Sequence, residues 1–194
     1  MEISFYEAEE YLRILPVSTQ NDREFNGAPP PIHNPSATEV KRFLGSIHDP
    51  TKISILMLKP LFFSTDEVDT CRYPYIQDAV ELDFLANGLT VVMTSLRNLR
   101  MTDVYNLYKP VLRYNKEDEE EYGIWWKTEI LKYLSEAPVF SYLLTGDDAL
   151  KKTKMIKNKF RKMVSKDART KVIENVGHVP ETNEFWLSLQ LLFL

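Results

Sequence analysis

Lys52-Ile53-Ser54-Ile55-Leu56-Met57-Leu58-Lys59-Pro60 is the stretch on which the reading of the whole chain turns. The continuous apolar run from Ile53 to Leu58, ended by Lys-Pro, reads as a buried strand. Far downstream, after a strongly basic stretch, comes Asn175-Val176-Gly177-His178. A His at one strand end can serve as a buried nucleophile, and a Lys at another can hold the phosphate that it attacks. What the protein does depends on whether those two ends meet in space.

Outward from this stretch the pattern is regular. Tyr75 to Ala86 carries Ile76, Ala79, Val80, Leu82, Phe84 and Leu85 on a helical face, and Asn87-Gly88 ends it. Leu89 to Met93 is the second strand, and Met101 to Tyr108 is a helix that stops before Pro110. A helix over Trp125 to Ser135 precedes a strand over Val139 to Leu144. Thr145-Gly146-Asp147-Asp148 then turns into a basic helix. Val172-Ile173 reads as a short final strand, followed by a helix from about Glu181 to Leu191. The order predicts an α+β fold, a ferredoxin-like βαββαβ unit: a four-stranded antiparallel sheet covered by helices, here over one face.

Residues 1–50 read as an N-terminal extension to a domain spanning 51–194. Glu7 to Leu15 makes a short helix stopped by Pro16, and Asn26 to Pro31 is rich in turns. Ser36 with Glu39 three residues on forms a capping box. His33 and His48, both close to prolines, read as plain surface residues in loops.

Composition narrows the class. Apolar residues are 44% of 194, enough for a core without disulfide or metal staples. The single Cys, Cys71, allows no internal disulfide and fits a reducing compartment. Three scattered His give no zinc spacing. No run of about 18 apolar residues spans a membrane, and the acidic start Met1-Glu2-Ile3 lacks a signal peptide's pattern, so the expected location is cytoplasmic.

Charge is unevenly spread. Residues 151–171 hold ten Lys or Arg and one acid, Asp167, whereas Glu117-Asp118-Glu119-Glu120-Glu121 is wholly acidic. The basic run has three readings: a solvated helix face, the wall of a nucleotide pocket, or a patch for nucleic acid or an acidic partner. A net charge of −4 makes general nucleic-acid binding the weakest of these.

Four strings, in sequence order over residues 52–194, resemble the nucleoside diphosphate kinases. They are the strand ending in Lys59-Pro60, Phe84 to Val92 turning through Gly88, Leu131 to Val139 with its small-Pro turn, and Asn175-Val176-Gly177-His178. The resemblance implies transfer of a γ-phosphate from a nucleoside triphosphate to His178, and from there to a nucleoside diphosphate, with Mg²⁺ accompanying the nucleotide. It implies that Lys59 touches the transferring phosphate and Tyr108 supports the site, while Trp126 stacks on the base. Lys154 would stand for a phosphate-pairing Arg, Arg161 or Arg169 for a second, and Asn175 would bond the sugar or phosphate edge. It also implies nucleoside di- and triphosphates as partners and a possible homo-oligomer. The chain departs from the family after the His, where Val179-Pro180-Glu181 replaces Gly-Ser-Asp. In the last helix Ser188 or Leu189 falls where the family keeps the acid that orients the His, leaving Glu181 or Glu184 to take that part.

Overall fold

Five strands form one sheet in the computed structural model, which describes residues 32–47, 49–63, 73–114, 125–164 and 175–194. They are β1 (Ile32–His33), β2 (Ile53–Leu58), β3 (Thr90–Arg97), β4 (Val139–Thr145) and β5 (Gly177–His178). Their spatial order is β1-β3-β4-β2-β5. The last four are antiparallel throughout, which is the expected ferredoxin-like sheet. The described helices are α1 (Ala37–Gly45), α2 (Pro74–Ala86), α3 (Met101–Tyr114), α4 (Trp125–Ser135), α5 (Ala149–Val164) and α6 (Phe185–Phe193).

Helices cover both faces of the sheet, where the sequence pattern suggested one. The reason lies in the central strands. All six residues of β2 are buried, and so are the first six of β4, so each strand is apolar on both sides. Side chains alternate between faces. Ile53, Ile55, Met57 and Leu143 meet Val104, Leu107 and Tyr108 of α3, Leu134 of α4 and Leu189 of α6. On the other face Leu56, Leu58, Phe140, Tyr142 and Leu144 meet Val80 and Phe84 of α2 and Ile156 and Phe160 of α5. Each such side chain contributes about 1.5–3 kcal/mol on burial, so a bare second face would forgo much of the core.

The segment before β2 is docked on this sheet. β1 lies parallel to β3, pairing Ile32 with Met93 and His33 with Thr94. Asn34 accepts from the Leu96 amide at 2.8 Å, and Val40 of α1 is fully buried in the core. The capping box forms as expected: Ser36 accepts from the Glu39 amide at 3.3 Å, and Glu39 accepts from the Ser36 amide at 2.8 Å. His33 therefore sits in a strand, not a loop, with Nδ1 2.6 Å from Thr94 Oγ1.

Other boundaries shift for local reasons. α3 runs through Pro110 to Tyr114, because one missing amide bond is outweighed by the packing of its Val104-Leu107-Tyr108 stripe. α6 begins at Phe185, after a turn over residues 182–184, instead of near Glu181. The strand that closes the sheet is Gly177–His178. The expected strand at Val172-Ile173 lies outside the described residues, as do the helix at Glu7 to Leu15, the acidic run 117–121, His48 and Arg169.

β5 lies so close to β2 that a Cβ on Gly177 would stand 2.3 Å from the Met57 carbonyl oxygen. Gly177→Ala should therefore lower stability by about 1–3 kcal/mol, the cost of overpacking a close contact. Gly45→Ala, with open space around it, should stay within about 1 kcal/mol of wild type. Urea unfolding midpoints of the two variants check this contrast.

Candidate active site

The two strand ends do meet. β5 pairs with the end of β2, placing His178 opposite Met57 and Gly177 opposite Leu58. One residue on, the Lys59 amide donates to the Val176 carbonyl at 3.1 Å. This backbone bond ties the Lys to the segment that carries the His. Tyr108, from the buried stripe of α3, completes the group. Its ring centroid lies 4.9 Å from that of His178, inclined at 44°, and Lys59 Nζ is 5.7 Å from the centroid of the same ring.

Burial defines the electrostatics of these three side chains. Lys59 is 1% exposed. Burial lowers its pKa to about 7, and the positive charges of Arg161 and Lys157 add to the effect. His178 is held down to about 3 by burial first, then by Lys59 and Lys157. Its imidazole is accordingly neutral near pH 7. Burial pushes the Tyr108 hydroxyl up, so it stays protonated. Among the described residues neither Tyr108 Oη nor His178 Nε2, both sealed from solvent, has a hydrogen-bond partner. Of the two His178 ring nitrogens, only Nε2 is both sealed and unpartnered.

α5 supplies the positive charge. Thr153, Ile156 and Phe160 face the core. Lys157 and Arg161 stand one turn apart beside them and act on Lys59. Lys157 is half-buried, and its pKa is lowered by burial, then by Arg161 and Lys154, while Glu181 opposes the shift. Lys157 was missed in the sequence reading. Its signal is the i, i+4 spacing to Arg161, which puts both on one stripe of a helix otherwise read as uniformly basic.

The remaining expected residues divide. Lys154 is turned to Glu181, donating to both carboxylate oxygens. Asn175 is half-buried, and among the described residues no hydrogen bond joins it to Lys59, Tyr108 or His178. Trp126 lies in the first turn of α4, and its side chain is outside the described residues. Neither carboxylate proposed to orient the His does so. Glu181 holds Lys154, Glu184 accepts from the Glu181 amide at 3.0 Å, and Ser188 and Leu189 are buried in α6. A groove of about 800 Å³ follows the outer side of α5, lined by Lys151, Lys154, Met155, Asn158 and Lys162 among others. His178, Lys59 and Tyr108 do not line it.

The site thus sets a neutral His beside Lys59 and Lys157 in a ferredoxin-like domain. Comparison with known proteins carries the class one step further. No family model matches the sequence, and no curated protein does. Among solved structures the chain is similar to the nucleoside diphosphate kinase of Aquifex aeolicus, with a TM-score of 0.50 and 15% identity over 72% of this chain and 93% of that one. It is also similar to a nucleoside diphosphate kinase family protein of Babesia bovis, with a TM-score of 0.47 and 14% identity over 72% and 86%. The chain has a divergent nucleoside diphosphate kinase-like fold. No described helix is long and apolar enough to cross a membrane.

The depressed pKa of His178 makes a pH prediction. Between about 3 in the folded state and the ordinary 6.5, the unfolded chain binds a proton that the folded chain does not. Stability therefore rises with pH across that window and falls as pH drops through it. At about 1.4 kcal/mol per pH unit, the His178 share of the loss between about pH 6.5 and 5 should be about 2 kcal/mol. His178→Gln should flatten the loss between about pH 6.5 and 5, above the range where most carboxylates titrate. Denaturant titrations of both proteins at several pH values measure the difference.

Proposed function

We propose that this protein binds the phosphate chain of a nucleoside triphosphate on Lys59, Lys157 and Arg161, and transfers the terminal phosphate through His178 to a nucleoside diphosphate. The observation that supports this most is the set of cations gathered on a neutral His. Lys59, Lys157 and His178 each have their pKa pushed down by burial first and then by neighbouring positive charges, and a bound polyphosphate would relieve the second cause. Attack by a neutral imidazole needs no prior deprotonation. With Nε2 sealed, Nδ1 is the edge left for an incoming phosphorus. Tyr108 holds the ring in place by its packed face, and Trp126 and Asn175 would take the base and sugar.

Mg²⁺ would enter with the nucleotide, held by phosphate oxygens. Among the described residues no group of three or more acids, His or Cys offers a protein cage for it. The chain's own part is to neutralise charge and fix the geometry. We assign residues 51–194 to this domain and 1–50 to an extension attached through β1 and α1, in a cytoplasmic protein.

A second reading is favoured by one observation. Nε2 has no acceptor, so positive charge developing on the ring during transfer is unsupported and lies beside Lys59 and Lys157. That would make transfer slow, leaving a nucleotide-binding or protein-interaction module with the same fold.

Incubation with γ-labelled ATP and Mg²⁺ separates the two. Phosphotransfer gives an acid-labile, base-stable label that is lost in His178→Gln. No label at saturating nucleotide, together with a nucleotide-induced rise in melting temperature, means binding without transfer. Absence of both overturns the nucleotide reading. Lys59→Met should weaken nucleotide binding by about tenfold or more, as expected for loss of a charged hydrogen bond worth about 1.5–3 kcal/mol.

A further inference from the structure

The cations of the site form a line. On α5, Lys154, Lys157 and Arg161 follow one another at i, i+3 and i+7, about one turn or 5.4 Å apart. Lys157 and Arg161 act directly on Lys59, and Lys157 acts on His178. Lys154 stands a turn further out. It influences Lys157, but it is not among the charges that act on Lys59 or His178. The outer end of the line is occupied by Glu181, whose two carboxylate oxygens both accept from Lys154 Nζ.

The position of Glu181 is set by the same chain that carries the nucleophile. It follows His178 by three residues, through buried Val179 and Pro180. Its own amide is held at 3.0 Å by Glu184, at the start of α6. The Glu181 backbone is thus anchored beside the line of cations, with its carboxylate on Lys154. That carboxylate satisfies Lys154 as an anion from outside would, and it carries a negative charge where the far end of a phosphate chain would lie.

Resting on the phosphate-binding reading above, we propose that Glu181 is a specificity-determining residue, an internal anion that competes for Lys154 and so selects against longer phosphate chains. One phosphate, or two, seated from His178 outward is served by Lys59, Lys157 and Arg161 and does not reach Lys154. A third phosphate must displace the carboxylate from Lys154 or bind beside it. Both options cost affinity: the first gives up a charge-assisted pair, and the second places like charges together. Glu181 would thereby favour diphosphate over triphosphate at the site and assist departure of the longer chain.

Magnesium-free orthophosphate, pyrophosphate and tripolyphosphate, titrated calorimetrically into the full chain, test the idea. Glu181→Gln should tighten tripolyphosphate binding about fivefold to tenfold, as rim charges beside a phosphate can. It should change pyrophosphate and orthophosphate affinity by less than about twofold. Lys154→Met in the Glu181→Gln background should abolish the gain, and Glu181→Asp, which keeps the charge, should behave as wild type. An equal gain for all three anions would reduce the effect to general charge and overturn the proposal. An unchanged or weaker tripolyphosphate affinity would overturn it too, while leaving the phosphate site standing. If neither wild type nor Glu181→Gln binds any of the three, the phosphate reading fails and this inference fails with it. The pair is substantially exposed, so Glu181→Gln should melt close to wild type, and that melt confirms folding before the titrations are compared.

Discussion

Everything at the site depends on the pairing of two residues, Gly177 and His178, with the end of β2. This is the shortest possible ladder, and it is held by close approach instead of length. Only a residue without a Cβ fits against the Met57 carbonyl. The Lys59 amide bond to Val176 extends the same contact by one step. Through it the last part of the chain is joined to the strand at the centre of the core. Lys59 and His178 then share one small volume around the Tyr108 ring.

That volume is costly to maintain without a ligand. It brings a fully buried Lys, a sealed imidazole nitrogen and a sealed phenol next to two more cations from α5. Buried charges of one sign are tolerated by giving up protons, which is what the lowered values of Lys59 and His178 express. A protein that stores such a cluster carries a standing demand for negative charge. Glu181 meets that demand at the outer end of the line, where its carboxylate accepts from Lys154.

The departures from the resembled family are physically connected. α6 brings Ser188 and Leu189 into the core. Among the described residues His178 Nε2 has no acceptor. The carboxylates nearest in sequence are used otherwise, Glu181 on Lys154 and Glu184 on the Glu181 backbone. The ring is thus positioned by packing on Tyr108 and by its strand, and a charge relay is replaced by shape.

Much of this was legible in the residues. The buried run Ile53 to Leu58, the Asn87-Gly88 stop, the capping box at Ser36 and the order of elements are local patterns, set by periodicity, turn preference and capping chemistry. They sufficed for the ferredoxin-like sheet, whereas Lys59, Tyr108 and His178 were grouped by the resemblance to the nucleoside diphosphate kinases. Other features depended on which surfaces touch. Covering of both sheet faces, the run of α3 through Pro110, and β1 beside β3 follow from core packing, which outweighs local preference. The place of Lys157 in the site, the capture of Lys154 by Glu181 and the unpartnered Nε2 arise between segments far apart in the chain. Their cause is burial and charge at close range, quantities that exist only once the chain is folded. The sequence determined which charged and polar groups the protein carries; tertiary structure decided which of them lie together, because distance and desolvation, not residue type, set the strength of a charge.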